Sequence, residues 1–176
     1  MNQDTKVLVV IDVQNDYFPG GLFPLWNAQE TLAAVEEAIA RAKARSIPVV
    51  LVQHIADPKA GPAPFFNQGT SGADLHPKLM AAAPDAPVVV KAYADSFVDT
   101  KLEPVLAGLG ATHLLVCGMM TQNCVTHTAI SKSAEKYTVS ILADCCTTVS
   151  EILHVIALHA VSTRLEVASS AAALGS

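Results

Sequence analysis

A three-layer, Rossmann-like α/β fold around a mainly parallel sheet of about six strands is predicted by two features of this 176-residue chain. Short apolar runs rich in β-branched residues alternate with segments whose apolar positions recur at helical spacing, the pattern of right-handed β-α-β units. Several runs are apolar at every position rather than every second one, as in strands covered by helices on both faces. No linker or internal repeat divides the chain, and its length suits a single domain over residues 1–176.

The first strand covers residues 6–11 and ends in Asp12-Val13-Gln14-Asn15-Asp16, followed by the turn residues Pro19-Gly20-Gly21. Leu32, Val35, Ile39 and Ala42 mark one face of a helix over residues 28–45. Pro48 turns the chain into a second strand, residues 49–53. Residues 54–87 are polar and rich in Gly and Pro, too long for an ordinary connection. They read as a functional loop region around a short helix at 77–82. A third strand at 88–90 ends in Lys91, and a helix over 101–109 stops at Gly110. Gly118 breaks the fourth strand, 113–117, and Thr121 opens a helix expected to run through Ala134. A fifth strand at 138–142 ends at Asp144, and Ser150 caps a helix through Ala160 with Glu151 in its first turn. Residues 165–167 make a sixth, edge strand, and the Ala/Ser-rich tail from Ser169 is expected to be loosely held.

Parallel α/β sheets bind ligands beyond the carboxyl ends of their strands, and that edge collects three reactive side chains. Asp12 follows strand one, Lys91 follows strand three, and Cys124 lies just past strand four. A thiol there stands near a helix N-terminus, whose unpaired N–H groups and dipole favour negative charge. It also stands near an ammonium, which favours the thiolate. Both are expected to lower the Cys124 pKa and suit it to nucleophilic attack. Asp12 can take the thiol proton, and Lys91 can hold Asp12 and the thiolate electrostatically. The backbone N–H groups of Met120 and Cys124 can converge on an oxyanion. Singly, each residue has a plain structural role open to it: a packed cysteine, a turn-forming acid, a solvated lysine. Their joint placement points to chemistry.

Other candidates are weaker. Phe65, Phe66 and the turn Gly69-Thr70-Ser71-Gly72 in the long loop are candidate specificity elements. Tyr93 and Phe97 line either the pocket or the core. His127, three residues past Cys124, either assists the base or, as the favoured alternative, is buried between helix and sheet. His154 and His159, five apart, do not share the helical face a metal would need.

Composition excludes several partners. A net charge of −5 without any Lys/Arg run leaves no footprint for nucleic acid. No apolar stretch reaches a membrane span and the first residues are not a signal peptide, so no membrane partner and a cytoplasmic location are expected. Cys117, Cys124, Cys145 and Cys146 show no C-x-x-C spacing and no zinc-finger His pair. A reduced setting follows, with Cys145-Cys146 read as small residues at a strand end rather than a redox pair. With 51% hydrophobic and only 15% charged residues the chain is apolar, and burial of the excess surface between subunits of a homo-oligomer is expected. Strand one runs into Asp12-Val13-Gln14 rather than a Gly-x-Gly-x-x-Gly turn, which disfavours a nucleotide-binding module.

Three segments in register carry a family resemblance. They are Val10-Ile11-Asp12-Val13-Gln14-Asn15-Asp16-Tyr17 with Pro19-Gly20-Gly21, then Lys91-Ala92-Tyr93-Ala94-Asp95-Ser96-Phe97, then Cys117-Gly118-Met119-Met120-Thr121-Gln122-Asn123-Cys124-Val125. Over residues 6–167 the chain resembles the isochorismatase-like cysteine hydrolases, alongside nicotinamidases, N-carbamoylsarcosine amidases and ureidoacrylate amidases. The resemblance implies an Asp12–Lys91–Cys124 triad acting on a small-molecule substrate. It also implies a cis peptide at Met119–Met120 that aims the Met120 N–H at the oxyanion, and an aromatic pocket wall at Tyr17. Metal-dependent nicotinamidases carry Asp-x-His just after strand two. Here Gln53-His54-Ile55-Ala56 lacks that spacing, and one imidazole is too few ligands, so no metal and no other cofactor is expected. His54 then reads as a pocket-wall or core residue, with substrate contact the alternative. Enol-ether hydrolases of isochorismate often lack the cysteine. Its retention favours hydrolysis of a C–N bond in a small amide, carbamoyl or ureide compound through a thioester. The alternatives are an isochorismatase-type hydrolase and a non-catalytic ligand-binding or scaffold protein.

Overall fold

In the computed structural model, which describes residues 4–175, six strands make one sheet. They are β1 (Lys6–Ile11), β2 (Val49–His54), β3 (Val88–Lys91), β4 (His113–Met119), β5 (Thr138–Thr147) and β6 (Glu166–Ala168). Every pairing is parallel, in the spatial order β3-β2-β1-β4-β5-β6. The chain winds outward from β1 to β3, returns, and winds outward again from β4 to β6. The order therefore reverses between β1 and β4, which opens a crevice at their carboxyl ends. β4 is buried along its whole length and β1 at all but its first residue, so both sheet faces are covered and the strands are apolar throughout.

The helices are α1 (Ala28–Ala44), α2 (Pro77–Ala82), α3 (Leu102–Gly108), α4 (Thr126–Ala129), α5 (Glu151–Val161) and α6 (Ser170–Leu174). Leu32, Val35, Ile39 and Ala42 of α1 are all buried, as their helical spacing predicts, and α1 packs on β5, α2 and α6. Among the described residues, no helix is long and apolar enough to cross a membrane.

Four expectations need correction. The helix expected from Thr121 to Ala134 is broken into a π-helical turn at Thr121–Val125, the short α4, and a 3-10 segment at Lys132–Lys136. Ser131 causes the second break: its backbone is extended (φ −55, ψ 146) and its side chain accepts from the Ser133 N–H. β5 continues past Leu142 to Thr147 by a register shift against β4 between Val116 and Gly118, and Cys145 and Cys146 lie buried at this later strand end. β6 begins one residue later than expected, at Glu166. The tail from Ser169 is not loose. Ser169 caps α6, Asp144 accepts from both the N–H and the hydroxyl of Ser170, and Leu174 is buried.

Register brings the site together. Ile11 lies opposite Val52 on one side and Gly118 on the other, and His54 lies opposite Lys91. Gly118 makes the β1–β4 contact possible. Its φ is +116, and a Cβ there would stand 2.0 Å from the Ile11 carbonyl oxygen. Gly118→Ala is expected to destabilise the fold by about 1–3 kcal/mol through that clash and the unfavourable φ, measurable by urea unfolding.

Candidate active site

Each strand end delivers one group. Asp12 follows β1 with a left-handed backbone (φ 52), a region open to Asp more readily than to bulky residues. Its N–H donates to the Val52 carbonyl and its carbonyl accepts from Gln14 N–H, both at 2.9 Å. Lys91 is the last residue of β3. Cys124 sits in the π turn that follows a cis peptide between Met119 and Met120. Asn123 and Val125 N–H both donate to the Met120 carbonyl, at 3.0 and 3.3 Å. π turns of this kind commonly mark functional sites. Thr121, which opens the turn, is held through its hydroxyl by His154 Nδ1 on α5 at 2.8 Å.

Lys91 is the hub. Its Nζ lies 2.8 Å from Asp12 Oδ2, and neither side chain has any exposed surface. It donates to Cys124 Sγ at 3.2 Å and to the Tyr93 carbonyl at 3.0 Å, and it stands 3.0 Å from His54 Nδ1. An ammonium carries three protons, so four acceptors compete for them. Asp12 Oδ1 makes no hydrogen bond among the described residues, which leaves the carboxylate able to receive a proton.

The electrostatics reverse one expectation. Burial and then the neighbouring Asp12 push the Cys124 thiol well above its usual pKa, and the opposing pull of Lys91 is smaller. Both effects favour the neutral thiol over the thiolate. Helical assistance is weak because a π turn and the four-residue α4 replace the long helix. For Lys91, burial acts to lower the pKa, but Asp12 and Cys124 outweigh it and the net shift is upward, so the ammonium persists. His54 is lowered by burial and by Lys91, against a smaller opposing effect of Asp12. It is neutral at pH 7, and with Nδ1 facing the ammonium its proton is assigned to Nε2.

Asp12, His54 and Cys124 are also the one group of three metal-ligand types among the described residues, their ligand atoms within 4.8 Å of one another. The Lys91 ammonium already stands within 3.2 Å of all three side chains. A divalent ion would meet that charge at contact distance, so the set does not fit a resident metal.

Tyr17 is buried and lies in an aromatic cluster, its ring centroid 4.5 Å from Phe66, 5.4 Å from Phe65 and 6.4 Å from Phe23. Burial first, then Asp12, Cys124 and Asp16, hold its phenol above the usual range. It stays protonated within electrostatic reach of the triad. Tyr93 contributes its carbonyl to Lys91, while the residue is 54% exposed. Phe97 stacks on Tyr137 at 6.4 Å. His127, expected to be buried, is exposed, and its Nδ1 donates to the Asn123 carbonyl at 2.8 Å. Its place on the short α4 turns it away from the sheet.

Two buried polar residues that shape the site escaped the sequence reading. Gln14 joins β1 to β2 and the long loop: its Nε2 donates to the His54 and Ala73 carbonyls, and its Oε1 accepts from His54 N–H. The Asp16 carboxylate accepts from Leu22 N–H at 3.1 Å and from Phe66 N–H at 2.8 Å. A Cβ on Gly72 would stand 2.1 Å from Asp16 Oδ1. The available signal was the dense polar run directly after an apolar strand, where few side chains can avoid burial.

In an all-parallel sheet of this order, a thiol, a carboxylate and an ammonium meet beyond β1, β3 and β4, a set of groups suited to hydrolysis. The isochorismatase domain family matches residues 6–173, and the chain belongs to that family of hydrolases. It is 33% identical over 144 residues to the isochorismatase family protein YddQ of Bacillus subtilis, covering 82% of this chain and 78% of that protein. It is 27% identical to the nicotinamidase/pyrazinamidase of Mycobacterium tuberculosis, over 90% of this chain and 95% of that one. An isochorismatase family protein from Desulfovibrio vulgaris shares the fold with a TM-score of 0.87 at 24% identity, covering 97% of both chains.

Two substitutions separate charge from catalysis. Asp12→Asn removes the negative neighbour that disfavours the thiolate, so the apparent pKa for alkylation of Cys124 is expected to fall while turnover is lost. Lys91→Met removes the positive neighbour and should raise that pKa further, seen in iodoacetamide rate–pH profiles. Lys91→Met also strands a buried carboxylate, with an expected destabilisation of about 3–5 kcal/mol that Asp12→Asn partly relieves, read by denaturant unfolding of the single and double variants.

Proposed function

We propose that this isochorismatase-family protein is a metal-independent cysteine hydrolase that cleaves a C–N bond in a small amide, carbamoyl or ureide compound. One observation carries the reading. The Cys124 sulfur and the Asp12 carboxylate are held by the same Lys91 ammonium, at 3.2 and 2.8 Å. A buried neutral thiol needs a base at the moment of attack, and a carboxylate in the same site meets that need.

Asp12 takes the Cys124 proton as sulfur bonds to the carbonyl carbon. The resulting oxyanion is received by the Met120 and Cys124 N–H groups. Collapse breaks the C–N bond, and the proton on Asp12 goes to the departing nitrogen, releasing ammonia or an amine. Water then attacks the thioester with Asp12 again as base. The sulfur leaves and regains a proton, and the acid is released. Lys91 keeps its charge throughout and keeps the local field positive. His54 Nε2–H and the Tyr17 hydroxyl are the polar contacts offered to the substrate, against a wall of Phe65 and Phe66. The likeness to a nicotinamidase supports an amide substrate.

Ammonia release from a panel of small amides, carbamoyl amino acids and ureides, with chelator present, tests the proposal. The wild-type protein is expected to release ammonia from at least one compound, and Cys124→Ala to lose about 10³-fold or more in rate. Pyruvate release from isochorismate without ammonia from any amide would overturn the C–N reading. Activity surviving in Cys124→Ala would overturn the thioester.

A further inference from the structure

The helix that buttresses the catalytic turn wears its apolar side outward. Of α5, only Ala157 and Val161 are buried, whereas Ile152, Val155 and Ile156 expose 74%, 56% and 59% of their surfaces. These three recur at i, i+3 and i+4, and exposed His159 continues the stripe at i+7. α1 is the contrast within the same molecule: its Leu32, Val35 and Ile39 are buried, while Glu30, Glu37 and Lys43 face solvent. Val149 and Trp26 adjoin α5, with Trp26 N–H donating to the Thr148 carbonyl at 2.9 Å and its ring 6.1 Å from that of His154. A coherent exposed patch of large apolar side chains marks a contact surface.

We propose that this face is a homodimer interface, in which α5 packs antiparallel against α5 of a second copy about a two-fold axis between Val155 and Ile156. The stripe is complementary to itself under that operation. Val155 of one helix meets Ile156 of the other, and Ile152 meets His159. The single carboxylate of α5, Glu151 in its first turn, comes beside His159 in the last turn of its partner, where the opposed helix dipoles also match. The middle of the stripe carries no charge, as the core of an interface requires. Such an arrangement is isologous and closes after two copies. An 11-residue helix is about 16 Å long, too short alone for the ~800 Å² per partner of a standard interface. The α5 stripe forms the centre, and Trp26 and Val149 extend it. Because His154 of α5 holds Thr121, the contact lies directly behind the turn that presents Cys124.

Sedimentation velocity of the full chain over a range of concentrations tests this without any substrate. Wild-type protein is expected at twice the chain mass or an even multiple of it. Ile152→Glu/Ile156→Glu should halve the mass and remove any concentration dependence of the urea midpoint while far-UV dichroism stays unchanged, because both side chains already face solvent within one chain. Leu22→Glu, at a residue 65% exposed elsewhere on the surface, should leave the mass unaltered. Glu151→Lys should weaken self-association a few-fold, and adding His159→Glu should restore it. A monomeric wild type, or an α5 double variant that keeps the wild-type mass, would overturn the interface.

Discussion

An ammonium and a carboxylate, 2.8 Å apart and wholly removed from solvent, set the conditions for the carboxyl edge of this sheet. Each ion would be costly to bury alone, and a buried pair is a modest net contributor to stability. What it supplies is definition. Asp12 must leave β1 through a left-handed residue to meet Lys91, and Lys91 must end β3 in register with His54. Gly118 must lack a side chain for β4 to close beside β1. The parallel topology makes these demands compatible, because it aligns three strand ends that are far apart in sequence.

Burial, with the carboxylate of that pair, explains why the thiol is not what its position suggests. A nearby lysine and a helix start both argue for an acidic cysteine, and both are present in some form. Desolvation is the larger effect here, and the carboxylate adds to it. The sign of a shift is a contest of magnitudes, and sequence position reveals the contestants without their sizes. In the proposed mechanism, a protonated thiol beside a carboxylate also places the proton where a departing nitrogen can collect it.

The strands and the meeting of Asp12, Lys91 and Cys124 were legible because apolar runs and strand-end polar residues follow directly from parallel-sheet geometry. Three other features were not. The π turn depends on the path of the chain after Met120, which no periodicity encodes. The burial of Cys145 and Cys146 depends on a register shift between β4 and β5. The docking of α6 rests on Asp144, 26 residues before Ser170 in the chain. Each is fixed by a partner distant in sequence, and composition alone reads an Ala/Ser-rich tail as loose.

The clamp made by Asp16 bears on how this scaffold can change. One carboxylate ties the backbone at Leu22 to the backbone at Phe66 and leaves Gly72 no room for a side chain. The aromatic wall at Phe65 and Phe66 and the turn after Tyr17 are therefore mechanically one unit. A loop transplanted from a relative will keep its shape only if the segment around residue 16 travels with it, so new specificities on this framework should arise by exchange of both loops together rather than one at a time.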